Sequence, residues 1–148
     1  MVYVAGLDFG TSGARVAVMT EQQALIATAK VAYGEVTSQG WAQCWLTALR
    51  QLLHEIPAAV RDELGAIAIN GTSATVLLCD GAGQSLTEPL LYHDDRGQHQ
   101  RETLAAIAPA GSPVVSATSG LVKLLYWQSH LPPECQQQAR HFLHQADW

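Results

Sequence analysis

The chain has 148 residues, 48% of them apolar and 14% charged, with a formal net charge of -5. That length supplies one domain with a real core, burying roughly 68–70% of its unfolded surface. An acidic balance with no basic cluster argues against nucleic acid as a partner, and no apolar run reaches the ~18 residues of a membrane span. No basic leader or signal-type apolar core opens the sequence, so a cytoplasmic protein is expected, with no membrane partner. The three cysteines, Cys44, Cys79 and Cys135, are far apart and odd in number, which fits reduced structural thiols. Among six histidines, His93 and His99 come nearest to a metal spacing, and exposed or hydrogen-bonded histidines are the simpler reading.

Residues 2–9, 15–19 and 25–32 are rich in Val, Ile, Ala and Tyr and are joined by short polar turns. They predict three consecutive strands in a meander. Within the first turn lies Gly6-Leu7-Asp8-Phe9-Gly10-Thr11-Ser12-Gly13-Ala14-Arg15. Gly10 and Gly13 allow positive φ and close backbone approach. Turn N–H groups with the Thr11 and Ser12 hydroxyls can line an anion-sized concavity. A carboxylate such as Asp8 repels phosphate directly, so Mg2+, often through water, is its natural bridge. A plain Gly-rich hairpin explains the glycines but not Asp8 ahead of Thr11 and Ser12. A P-loop needs Gly-Lys-Ser/Thr and there is no Lys here; a dinucleotide fingerprint needs a helix where residues 15–19 read as strand. Asp8-Phe9-Gly10 also spells the protein-kinase metal triplet, but nothing precedes it that could be a Gly-rich or catalytic loop.

Residues 34–40 form a polar connection. Trp41, Cys44, Trp45, Ala48, Leu49, Leu52, Leu53 and Ile56 then recur at helical spacing. Ser38 is the expected cap and Pro57 the stop; Trp41 and Trp45 are expected to pack against the sheet. Residues 66–70 and 76–79 read as strands around Gly71-Thr72-Ser73-Ala74-Thr75, and residues 80–83 as a turn. Residues 90–92 predict a short strand. Residues from 93 to about 106 predict a helix capped by Asp94 or Asp95, with Leu104 and Ile107 on its apolar face. Residues 121–127 suit a buried helix after Ser119-Gly120. A helical turn follows Pro132-Pro133, then a strand at 141–143 and the opening of another helix at 144–148. The order is α/β with an antiparallel start, as in a ribonuclease-H-like half domain: a three-stranded antiparallel meander followed by alternating helices and strands.

Gly-Leu-Asp-Phe-Gly-Thr-Ser at 6–12 resembles the first phosphate motif of the FGGY carbohydrate kinases, members of the actin/hexokinase/Hsp70 fold superfamily. Ala-Ile-Asn-Gly-Thr-Ser-Ala-Thr at 68–75 resembles their second strand–turn. Tyr-His-Asp-Asp-Arg at 92–96 resembles their Trp-x-Asp-x-Arg sugar-side loop. Lys-Leu-Leu-Tyr-Trp at 123–127 and Gln-Ala-Asp-Trp at 145–148 resemble later segments of the same lobe. The wording at 71–75 and 144–148 is similar to plant and cyanobacterial kinases of D-ribulose, often labelled D-xylulose kinases. The resemblance implies two lobes with a cleft and ATP-dependent phosphorylation of a sugar hydroxyl, so sugar and ATP are the implied partners. It implies Asp8 at Mg2+-ATP, with Thr11, Ser12 and Gly13 at the transferring phosphate. It implies Thr72 and Ser73 on the sugar side, and Asp94 and Arg96 lining the sugar pocket or bracing it as an ion pair. Arg15 could steady phosphate or be a surface charge. Tyr92 replaces the usual Trp.

The resemblance also implies that residues 1–148 are a partial N-terminal lobe. The general base, second phosphate motif and adenosine site of such kinases lie beyond position 148, so no catalytic residue is assignable and the isolated chain is expected to be inactive. The alternative is a truncated, non-catalytic binding or interaction module, with self-association through uncovered apolar surface around residues 121–127.

Overall fold

The computed structural model describes residues 2–36 and 40–148. Strands β1 (Tyr3–Phe9), β2 (Gly13–Thr20) and β3 (Leu25–Ala32) form the expected meander. Helix α1 (Trp41–Glu55) and the one-turn α2 (Ala58–Arg61) lead to β4 (Leu64–Gly71), and the sheet order is β3-β2-β1-β4. β4 is parallel to β1, and a parallel pair needs a crossover of the kind that α1 and α2 supply.

Period-2 alternation sends Ala5, Leu7 and Phe9 of β1 into the core, opposite Val18, Val16 and Ala14 of β2. Helix α1 covers β2 and β3 with the apolar stripe read from sequence, burying Trp45, Ala48 and Leu52, with Ile56 buried just beyond its end. Trp41 belongs to the same packing: its ring lies 6.0 Å from Trp45 and edge-on to Tyr33 at 5.8 Å. The expected cap Ser38 lies outside the described residues, and Gly40 stands at the N-cap position. Pro57 closes α1 and also stands at the N-cap of α2, a helix the apolar periodicity was too short to reveal.

The first unit ends at Thr72 and a second begins at Ser73. In the second, β5 (Val76–Cys79) pairs antiparallel with β6 (His141–His144). Helices α3 (Arg101–Ala105), α4 (Gly120–His130) and α5 (Pro133–Gln138) accompany them. Its core joins Val76, Leu78 and Leu90 to Trp127 and Leu131. Ser119 caps α4, its hydroxyl accepting from the Val122 N–H at 3.2 Å.

Several local expectations give way to tertiary constraints. Residues 90–92 are not a strand; Leu90 makes a single bridge with Val76. The helix expected from 93 is a 3-10 turn, Gln98–Gln100, running into α3. Asp94 does not cap it, because its carboxylate is taken by Arg96. Leu104 is buried, but Ile107 is 81% exposed because α3 ends before it. Residues 145–147 form a turn, not a helix, and Trp148 Nε1 donates to the Gly83 carbonyl at 2.8 Å. On α4 only Leu121 is left exposed among the large apolar side chains; Ile67 and Ile69 of the edge strand β4 are more so.

Leu52→Ala removes a fully buried side chain beneath the sheet. The expected loss is about 2–5 kcal/mol, read as a lower urea midpoint at unchanged slope.

Candidate functional site

Asp8 is the penultimate residue of β1, and the pairing register fixes its neighbours. Arg15 of β2 stands opposite it on one side and Asn70 of β4 on the other. Since Leu7 and Phe9 face the core, these three polar side chains share the opposite face. Arg15 donates to Asp8 Oδ2 from Nε at 2.8 Å and Nη2 at 2.7 Å. Asn70 Nδ2 donates to Oδ1 at 2.8 Å. The Asn70 hydrogen bond, then the Arg15 hydrogen bond and charge, hold the Asp8 carboxyl below its usual range despite a smaller opposing effect of burial. The group is therefore a fixed anion. Arg15 is highly exposed, and such surface pairs contribute little stability; what it supplies is orientation.

The turn after β1 is closed by the Gly10 N–H donating to the Gly13 carbonyl at 3.0 Å. Thr11 and Ser12 are exposed at its tip. The positive φ expected at Gly10 and Gly13 is not used; the left-handed glycines are Gly34, Gly83 and Gly111. Gly13 has a different reason to be glycine. A Cβ there would lie 2.4 Å from the Val31 carbonyl oxygen, so the close approach is to β3. Thr72 donates its hydroxyl to the Phe9 carbonyl at 3.1 Å, tying the end of β4 to the end of β1.

In the second unit Ser73 is exposed. Ala74 after it has φ +58, a left-handed conformation rare for a residue with a Cβ. Asp94 accepts from the backbone N–H of Arg96 at 3.1 Å and from Arg96 Nε and Nη2 at 2.9 and 2.6 Å. Burial pushes the Asp94 carboxyl up, but these Arg96 bonds and charges outweigh it and leave it below its ordinary value. The Arg96 guanidinium also lies 5.9 Å from the Tyr126 ring centre. Asp94 and Arg96 thus form an ion pair with each other. Tyr92 is exposed, its ring edge-on to His93.

Two residues were not singled out from sequence. Asn70 could have been found by registering an Asp-ended strand against the next apolar strand that ends in a polar amide. Lys123 is wholly buried; the mark in the sequence is a lone lysine among the apolar residues of 121–127.

Asp8 is chemically suited to Mg2+. Oδ1 keeps a lone pair beyond the one bond it accepts from Asn70, whereas Oδ2 already takes two bonds from Arg15, and Mg2+ commonly rests on one carboxylate, waters and substrate phosphates. Among the described residues no group of three His, Cys, Asp or Glu could form an all-protein site, so phosphate oxygens and water would complete the shell.

No family model matches the chain. Among solved structures it superposes on a xylulose kinase from Brucella ovis with a TM-score of 0.78 at 23% identity, over 95% of this chain and 32% of that one. For a ligand-bound xylulose kinase from Lactobacillus acidophilus the TM-score is 0.76 at 13% identity, over 97% and 31%. For glycerol kinase from Plasmodium falciparum, solved with ADP, it is 0.70 at 17% identity, over 93% and 30%. The chain thus has the ribonuclease-H-like fold of the N-terminal half domain of sugar kinases, and spans less than a third of the length of these enzymes. No helix is long and apolar enough to cross a membrane among the described residues.

Asn70→Ala is expected to raise the Asp8 titration midpoint toward the ordinary carboxylate value, with Asp94 unmoved; carboxyl 13C NMR reads both. Because the folded-state value is depressed, the stability linked to Asp8 is present above the ordinary carboxylate pKa and fades as pH falls through the folded one. In Asn70→Ala that contribution is smaller and is exhausted at a higher pH, while its onset, set by the unfolded chain, stays where it was.

Proposed function

We propose that this chain is the phosphate- and sugar-binding part of an FGGY-type carbohydrate kinase. The protein that carries it would transfer a phosphoryl group from ATP to a hydroxyl of a pentulose, D-ribulose or D-xylulose. The observation that carries the reading is the Asp8 carboxylate, kept ionised by Asn70 and Arg15 beside a small-residue turn, on a fold shared with sugar kinases. Phosphoryl transfer relies on positioning and charge neutralisation more than on covalent chemistry by the protein.

On this reading Asp8 holds hydrated Mg2+ of Mg2+-ATP, which when bound offsets the charge of the phosphates. Thr11 and Ser12 present hydroxyls and turn backbone to the transferring phosphate, and Gly13 keeps that turn against the sheet. Thr72 and Ser73 offer hydroxyls to the sugar, and the Asp94–Arg96 pair supplies a rigid polar edge to its pocket. The pentulose preference rests on the sequence wording at 71–75 and 144–148 and on the xylulose kinases among the structural relatives; Tyr92 in place of Trp is where the sugar choice would be tuned. Residues 1–148 are then a partial lobe, with the general base and adenosine site supplied elsewhere.

Phosphotransfer from Mg2+-ATP is measured for the chain, and for any longer protein that carries it, against D-ribulose, D-xylulose, L-ribulose and glycerol. A pentulose is expected to be the best acceptor of the longer protein. Asp8→Asn should lower its kcat on the order of a hundredfold. Arg96→Ala should raise the KM for sugar about tenfold while sparing that for ATP. A folded longer protein that phosphorylates none of these acceptors overturns the reading.

A further inference from the structure

Lys123 is the least expected side chain in the second unit. It is wholly buried in the first turn of α4, where the positive end of the helix dipole disfavours a cation. Burial of an ammonium is itself expensive unless it is well bonded. Nothing about helix stability or core packing asks for lysine there.

What the position offers is two backbone carbonyls. Lys123 Nζ donates to Ala74 O at 2.6 Å and to Leu91 O at 2.6 Å. These belong to two different segments, and the bonds between those segments form a ladder. Its first rung is the reciprocal pair of Val76 and Leu90, N to O at 3.0 and 2.9 Å. Its second is the Tyr92 N–H donating to the buried Thr75 hydroxyl at 3.1 Å. Lys123 supplies the third, joining Ala74 to Leu91. On one side the ladder leads to Ser73 through Ala74, whose left-handed backbone is a conformation held only where its surroundings insist. On the other it leads to Tyr92 and the Asp94–Arg96 pair. The second segment is also pressed onto α4 at Gly97, where a Cβ would come within 2.7 Å of the Val122 carbonyl oxygen.

We propose that Lys123 is a positioning residue: by bridging the Ala74 and Leu91 carbonyls it sets the spacing between Ser73 and the Asp94–Arg96 pair, and so the shape of the sugar-side edge. The part concerning sugar rests on the function proposed above; the clamp itself does not. Burial lowers the Lys123 pKa to about 8, with the Asp94 charge opposing. A neutral amine keeps two N–H donors, so the bridge survives either protonation state.

The test is Lys123→Met, which keeps much of the volume and loses both donors. Amide hydrogen exchange is compared at Tyr92 and Asp94, whose N–H groups are bonded to Thr75 and Leu91, and at Leu131, bonded to Trp127 beyond the far end of α4. A rise of tenfold or more at Tyr92 and Asp94, with less than twofold at Leu131, supports the clamp. No rise at Tyr92 and Asp94, or an equal rise at Leu131, overturns it. In the longer protein the same variant should raise KM for sugar and alter the ranking of the four acceptors while leaving KM for ATP within twofold; equal effects on both KM values overturn a role at the sugar edge. If the unsubstituted protein phosphorylates nothing, the function proposed above fails, and the exchange result still decides the clamp.

Should Lys123→Met not fold, the unsubstituted chain decides. Lys30 and Lys123 are its two lysines, and Lys30 is exposed. Acetic anhydride should acetylate Lys123 at least a hundredfold more slowly than Lys30; comparable rates overturn the clamp.

Discussion

Everything in the first unit hangs on the register of β1. It is hydrogen-bonded on both sides, antiparallel to β2 and parallel to β4. A strand so placed cannot slip by one residue without turning Leu7 and Phe9 out of the core and Asp8 into it. The hydrophobic effect that seats Ala5, Leu7 and Phe9 therefore also aims Asp8. Nothing near the turn has to hold the carboxylate against a force of its own; Arg15 and Asn70 arrive at its oxygens because they are register partners.

The second unit solves the same problem without a wide sheet. Its two-stranded ribbon is short, and the segment after Leu90 runs as turns. Backbone groups there have no strand partner, so side chains take over: Thr75 accepts from Tyr92, Asp94 accepts from Arg96, and Lys123 reaches two carbonyls. A buried lysine is a costly way to satisfy two acceptors, and its value lies in binding two segments at a single atom.

The legible parts of the sequence were those where one local pattern decides the outcome. The Val-, Ile- and Ala-rich runs joined by polar turns in residues 2–32, and the stripe from Trp41 to Ile56, announced the meander and α1. Asp8 stood out because a carboxylate amid glycines and hydroxyls has few ordinary uses. The strand expected at 90–92 and the helix from 93 were misread because partners distant in the chain, Val76 and Thr75, together with the Asp94–Arg96 pair, override local preference there. Asn70 and Lys123 escaped notice for a related reason. Their importance is in what they touch, and that depends on strand register and helix placement. The glycine at 13 was read for φ, whereas its necessity comes from the backbone of a strand running some twenty residues further on.

The placement of the indoles gives the molecule two separate optical signals. Trp41 and Trp45 sit with Tyr33 over the four-stranded sheet, whereas Trp127 lies in the core of the second unit and Trp148 is fastened to Gly83. Intrinsic fluorescence is thus a sum of two pairs, one for each unit. Replacing either pair with phenylalanine isolates the emission of the other, so the melting of each unit can be followed without attaching a dye, and a single curve from the unaltered chain is a composite of both.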